Sequence, residues 1–207
     1  LSKELDLALR QLEFDARSAK GEERVRIKNQ IAEKQDLLNA VGHLEESNPM
    51  LGMRGVRLAV KRPGLYAMQV RAIMEAACDV KARKGKPVIE IMFPLVAVRE
   101  ELEMMRAEAE TVIADVLKAR KQKIDVSIGT MIELPRAARV AGEIAGSAEF
   151  FSFGTNDRTQ TTYGFSRDDV EGKVFPQDGE RGRLKVSPFE TLDRNGVVRL
   201  IRIAGSE

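Results

Sequence analysis

The sequence predicts an α/β protein built of parallel βαβ units behind an N-terminal helical segment, and three observations carry that prediction. Short apolar runs, VIEIMFPLV (88–96), SIGTMIEL (127–134) and EFFSFGT (149–155), alternate with stretches whose apolar residues recur at helical spacing. The repeat is roughly 25–45 residues, about one strand plus one helix, and such units wind right-handed into a parallel sheet. Residues 1–47, by contrast, show helical periodicity alone.

In that first segment Leu5, Leu9, Leu12 and Ala16 share one stripe, and Ile27, Ile31, Leu38 and Val41 another, with a break near Gly21. Two amphipathic helices are expected, serving packing or assembly. Met50–Leu58 reads as a short strand or strand-loop. Pro63–Lys84 reads as a helix with Leu65, Met68, Ile73, Ala76, Ala77 and Val80 inward, stopped by Lys84-Gly85-Lys86-Pro87. Val88–Val96 is the next strand, Arg99–Lys121 a helix and Ser127–Leu134 a strand. Pro135 opens a third helix as a favoured first-turn proline, and Glu149–Thr155 is a strand. A polar, turn-rich stretch then runs from Tyr163 to Ser187, before an amphipathic segment at Val197–Ala204. A (β/α) barrel and a doubly wound sheet both suit this order. No GxGxxG or GxxxxGK[ST] loop follows a strand, which removes support for a nucleotide-binding sheet.

Composition narrows the function classes. Hydrophobic residues make up 43% and charged residues 32%, as in a soluble globular protein. The net charge of +2 is the difference of 34 basic and 32 acidic residues, with no one-sided basic surface for nucleic acid. One cysteine, Cys78, excludes an internal disulfide and fits a reducing compartment. Its helical stripe with Met74 marks it as a core thiol. With one histidine, His43, no histidine-rich metal site can form, and no run reaches the ~20 apolar residues of a membrane span. The chain is expected in the cytoplasm, or in an organelle if a leader preceded Leu1.

The polar residues that folding alone would not place are gathered where strands end. Arg54 follows Met50–Met53, Glu133 ends SIGTMIE, and Asn156 and Asp157 follow FFSFGT. In barrel enzymes that rim builds the active site. Glu133 and Asp157 lie one repeat apart, so their strands would be neighbours at roughly 4.8 Å, and two carboxylates leaving one rim can share an ion. Hard oxygen donors suit Mg²⁺ or Mn²⁺, and the lack of nearby Cys or His removes zinc. Gly154-Thr155-Asn156-Asp157 offers a glycine for close backbone approach, an amide donor and a carboxylate; as a bare motif it is equally a turn. Arg54, between Gly52 and Gly55, offers a planar fork suited to phosphate.

At these same residues the sequence resembles a known family. NPMLGMRGVRL (48–58), EIMFPLV (90–96), IGTMIELPRAA (128–138) and AEFFSFGTNDRTQTTYGFSRDD (148–169) are similar to the pyruvate phosphate dikinase family of phosphoenolpyruvate-utilising enzymes. Phosphoenolpyruvate synthase and enzyme I of the sugar phosphotransferase system share the GTND core, while YGFSRDD and PFETLDRNGV (188–197) look specific to the dikinase. The resemblance covers about residues 48–204. It implies a phosphoenolpyruvate/pyruvate (β/α) barrel, present here in part as about its third to sixth strands, preceded by the helical segment 1–47. It implies Mg²⁺ held by Glu133 and Asp157, substrate bound by Arg54, Glu133, Gly154, Thr155, Asn156 and Asp157, and catalytic roles for Arg54 and Asn156. It further implies a phosphohistidine domain and an ATP-grasp domain as partners, and a homo-oligomer. The family's first two strands with their phosphate-binding arginines, and its GxCGEHGG-like segment with the proton-handling cysteine, have no counterpart in the 207 residues. Dikinase turnover by these residues alone is therefore not expected. A phosphoenolpyruvate synthase-type barrel, or a non-catalytic fragment or partner-dependent subunit, is the alternative reading. Two positions depart from the family: Met53 stands where His is usual and Arg158 where Leu is usual. A buried guanidinium needs a partner, so Arg158 is expected to be exposed or paired with an acid, and Arg158→Leu to be neutral or stabilising.

Overall fold

The computed structural model describes residues 2–42, 50–170 and 186–207. The chain divides into two compact units, Leu1–Gly52 and Met53–Glu207. The first holds the two expected helices, α1 (Ser2–Ser18) and α2 (Gly21–Gly42), packed on each other with Leu5, Leu9 and Ile27 buried. The last turn of α1 closes on Asp15, whose carbonyl accepts the Ala19 N–H and the Ser18 hydroxyl. His43 lies outside the described residues.

The second unit is a mixed α/β fold around a small parallel sheet. Its elements are α3 (Val56–Lys61), α4 (Leu65–Ala82), β1 (Ile89–Phe93), α5 (Arg99–Arg120), β2 (Val126–Met131), α6 (Pro135–Arg139), α7 (Ala141–Ala145), β3 (Phe151–Ser152), α8 (Thr155–Tyr163), α9 (Arg167–Val170) and α10 (Val197–Ser206). The strands lie in the order β1-β2-β3. Ile89 pairs with Val126 through to Phe93 with Thr130, and Thr130 pairs with Phe151. Consecutive strands are therefore parallel neighbours joined through helices, as βαβ units require.

Among the described residues the sheet has three strands, and the strand expected at Met50–Leu58 is not one of them. Residues 50–55 form turns and bends, and α3 follows. Gly55 sets this course with φ +56°, and a Cβ there would lie 3.0 Å from Leu95 Cβ and 3.1 Å from the Pro94 carbonyl. Beyond it Val56 and Ala59, three residues apart, are the buried pair, so the local period is helical. The other strands are shorter than read. β1 stops at Phe93 because Pro94 has no N–H for a ladder and Leu95 turns left-handed. The helix opened by Pro135 breaks at Val140 into α6 and α7.

The core joins α4, α5 and the sheet: Val70, Met74, Cys78, Leu102, Val116, Ile128 and Ile132 are all buried within it. Cys78 is the expected core thiol, completely enclosed and free. The inward stripe of α4 is Val70, Met74, Ala77 and Cys78, so the reading of Met68, Ile73, Ala76 and Val80 as inward is wrong; all four are exposed. Ile73 instead borders a groove along the outer edge of β1 together with Met92, and no described strand covers that edge. The α5 start is capped by Glu101, whose Oε2 accepts the Ala97 and Val98 N–H groups at 2.8 and 3.3 Å. Thr130 closes the β1–β2 layer, its hydroxyl donating to the Phe93 carbonyl at 2.7 Å.

Leu102 is fully enclosed whereas Met104, two residues on, is 45% exposed. Leu102→Ala is expected to cost about 2–5 kcal/mol in urea unfolding, and Met104→Ala less than about 0.5 kcal/mol. Equal effects would place the core elsewhere.

Candidate functional site

The chemistry collects at one rim of the sheet, where each strand hands the chain to the next helix. Leu95 follows β1, Glu133 follows β2, and Asp157 sits in the first turn of α8 just after β3. Arg54 reaches the same rim from the turn before α3, and not from a strand end.

Glu133 is buried, 5% exposed, and its Oε1 accepts the Leu95 N–H at 2.7 Å. Leu95 aims that N–H by adopting φ +61°. The other non-glycine residues with positive φ, Lys84 and Lys121, end helices, where this conformation is common. At Leu95 it is strain of about 1–2 kcal/mol, held at the rim by contact with Gly55. Burial raises the Glu133 carboxyl above its ordinary value, and the Leu95 N–H opposes that. The adjacent Asp157 raises it again, by charge and by hydrogen bond, while Arg54 lowers it. The two carboxylates thus sit side by side.

Asp157, likewise 5% exposed, is gripped by a two-pronged arginine. Arg54 Nη2 donates to Oδ2 at 2.6 Å and Nη1 to Oδ1 at 3.3 Å, while the Arg54 side chain stays 42% exposed. Gln160 holds the carboxylate from behind: its Nε2 donates to Asp157 Oδ1 at 3.2 Å and its Oε1 accepts the Arg167 N–H at 2.7 Å. Both ends of that amide are committed, so the start of α9 and Asp157 are positioned together.

Gly154 is required by clearance. Its backbone is ordinary extended chain (φ −70°), but a Cβ would lie 2.5 Å from Met131 Sδ, 2.9 Å from Glu133 Cβ and 3.0 Å from Glu133 Oε2. Thr155 and Asn156 are exposed on another side of α8. With Thr159, Arg167, Phe189 and Thr191 they line a cleft of about 320 Å³. The structure thus brings Arg54, Glu133, Gly154 and Asp157 into one cluster and places Thr155 and Asn156 in an adjoining cleft. Leu95 and Gln160 escaped sequence reading. Gln160 stands three residues beyond Asp157, a helical neighbour once α8 forms, and the polar residues 155–162 carry no apolar stripe that would announce the helix.

Arg158 corrects an expectation. It is completely buried, and none of Nε, Nη1 and Nη2 makes a hydrogen bond. Arg158 lies on α8, and α6 and α10 pack on that helix, so no route to solvent opens. What Arg158 has is the face of Phe153, 5.1 Å from guanidinium carbon to ring centre, and the charge of Glu133.

These residues lie within a stretch with clear relatives. Residues 18–207 match the family model described as PEP-utilising enzyme, PEP-binding domain, where PEP is phosphoenolpyruvate. The chain belongs to that family. It is 52% identical over 165 residues to pyruvate, phosphate dikinase of Giardia intestinalis, covering 79% of this chain and 18% of the relative. To chloroplastic pyruvate, phosphate dikinase 1 of Zea mays it is 49% identical over 177 residues, covering 84% and 18%. To the Rhizobium meliloti enzyme it is 49% identical over 170 residues, covering 82% and 19%. The chain therefore spans about a fifth of the length of the relatives it matches. The family match begins within α1, earlier than the motifs that first suggested it, and takes in all of α2. No described helix is long and apolar enough to cross a membrane.

The raised Glu133 carboxyl makes folding of this PEP-binding-domain family member proton-linked. Its folded-state value lies above the unfolded one, so the folded state holds the proton more tightly. The stabilising contribution is complete below the ordinary value of 4.5 and is lost as pH rises through the folded value. Glu133→Gln keeps an oxygen for the Leu95 N–H. It is expected to melt higher than wild type at neutral pH in metal-free buffer, with the difference shrinking on acidification. A variant that melts lower at neutral pH would contradict the assigned direction.

Proposed function

We propose that this chain is the phosphoenolpyruvate/pyruvate-binding part of a pyruvate, phosphate dikinase, its sheet a portion of a (β/α) barrel. In the complete enzyme it would exchange a phosphoryl group between phosphoenolpyruvate and a phosphohistidine domain, which an ATP-grasp domain charges. The carrying observation is the Arg54–Asp157 pair set beside buried Glu133, within motifs shared with dikinases at about half identity.

The donor set suits Mg²⁺. Two neighbouring carboxylates give hard oxygen ligands, and Mg²⁺ commonly takes one or two of these and fills the rest with water and substrate oxygens. The Arg54 guanidinium paired with Asp157 supports this reading, since that carboxylate faces a positive charge. Glu133 and Asp157 would hold the metal, and Mg²⁺ there would stabilise an enolate at the substrate oxygens as a Lewis acid.

The chain's own residues would do the rest. Leu95 fixes the Glu133 carboxylate and Gln160 fixes that of Asp157, so neither must reorganise when substrate arrives. Arg54, half in solvent, has a planar fork to offer the transferring phosphoryl group. Thr155 and Asn156, at the start of α8, offer side-chain donors beside the first N–H groups of a helix, favourable to an anion. Cys78 is sealed in the core and takes no part in proton transfer.

In the complete enzyme, Glu133→Gln and Asp157→Asn are each expected to weaken Mn²⁺-dependent phosphoenolpyruvate binding more than about 100-fold, beyond what is typical of a supporting residue. Isothermal titration measures the binding and thermal melts confirm that the fold survives. Wild-type binding by both variants would overturn the proposal.

A further inference from the structure

Arg158 is the least explained side chain at the rim: a cation with no exposed surface and no hydrogen bond from any guanidinium nitrogen. A charge buried this way costs several kcal/mol unless something offsets it. The aromatic face of Phe153 supplies part of the offset. Phe153 is followed by Gly154, whose missing Cβ is what lets Glu133 lie against the strand end. Arg158 is in turn bonded directly to Asp157. Its backbone thus adjoins Asp157, and its guanidinium stacks on the residue before Gly154, against which Glu133 packs. Burial lowers the Arg158 guanidinium from its ordinary range, and the charge of Glu133 opposes that and favours the cation.

Counting charges gives this placement a consequence. Glu133 and Asp157 contribute two negative charges, and Arg54 and Arg158 two positive. With Arg54 in place the cluster is neutral, and if a metal displaces Arg54 the remaining three groups carry only −1. With leucine at 158 they would carry −2. A dication is held more tightly by the more negative cage, and burial lets such a charge act with little screening.

We infer that Arg158 is a built-in counter-charge that lowers the affinity of the Glu133–Asp157 pair for a divalent cation, a positioning and tuning residue that touches neither metal nor substrate. This rests on the proposed metal-binding role of that pair.

The test titrates the full chain with Mn²⁺ alone, reading free Mn²⁺ by electron paramagnetic resonance, with thermal melts to confirm folding. Arg158→Leu is expected to bind Mn²⁺ about tenfold more tightly than wild type, and Arg158→Lys, which keeps the charge, to bind like wild type. Arg158→Met, which keeps a long unbranched chain against Phe153, separates charge from packing and should follow Arg158→Leu. Unchanged or weaker Mn²⁺ binding in the folded neutral variants overturns the inference. So does failure of both neutral variants to fold while Arg158→Lys folds, since that marks a structural cation. Glu133→Gln is the control for the underlying reading. If it leaves Mn²⁺ binding intact, the metal assignment fails; if it abolishes binding while Arg158→Leu changes nothing, only the role of Arg158 fails.

Discussion

The rim is organised by one hydrogen bond, from the Leu95 N–H to the buried Glu133 carboxylate. It ties the end of β1 to the end of β2 beyond the last ladder pair, Phe93 with Thr130. To make it, Leu95 must turn left-handed, and Gly55 must lack a Cβ so that the preceding segment can pass over Leu95. That passage positions Arg54, one residue earlier, to reach Asp157. On the other side Gly154 must lack a Cβ for β3 to close on the same glutamate. Two glycines, one strained backbone and one ion pair thus share a common cause. A charged group bonded to a backbone N–H is worth more than a neutral pair, which explains how the strain at Leu95 persists.

The electrostatics follow from that geometry. Burial at the rim raises the Glu133 carboxyl first, and repulsion by the neighbouring Asp157 carboxylate adds to it. Arg54 relieves the repulsion from the solvent side with a fork that spans both Asp157 oxygens. The pair is partly exposed, so its worth in stability is modest, near the range of surface ion pairs. An arginine that grips but is half in water can exchange for another cation at small cost. Gln160 is held independently of Arg54, because its other end accepts the Arg167 N–H.

The α/β class was readable because β1 and β2 are apolar runs flanked by strongly periodic helices, and α5 in particular falls within one residue of its expected end. The carboxylates of the rim were readable because strand ends have a meaning in parallel sheets that does not depend on contacts. What failed has physical reasons. Met50–Leu58 is rich in apolar residues, but its course is set by Gly55 and by a contact with Leu95 forty residues away, which no local pattern reveals. Met68, Ile73 and Val80 sit on a plausible helical stripe, yet inward is defined by the sheet, and β1 is its edge. Arg158 departs from expectation because the cost of burying an unpaired guanidinium argues for exposure or an acid partner, and the helix decides otherwise. Once α8 forms, its fourth residue has nowhere to go but inside.

Most of this unit is locally consistent, and its exceptions are concentrated. Among the described residues the buried side-chain atoms lacking a hydrogen bond are those of Arg158 and Thr162, both on α8. Among the described residues the one left-handed non-glycine residue outside a helix end is Leu95, and the one carboxyl raised above its ordinary value is Glu133. Packing accidents would scatter such costs over the core, yet Met74, Leu102 and Ile144 are enclosed with no polar group among them. Costs that converge on one rim are the pattern of a site held ready for a ligand at the expense of stability. A dication between Glu133 and Asp157 would offset both the burial and the repulsion that raise Glu133, so the least comfortable region of the protein is the region a ligand would stabilise most.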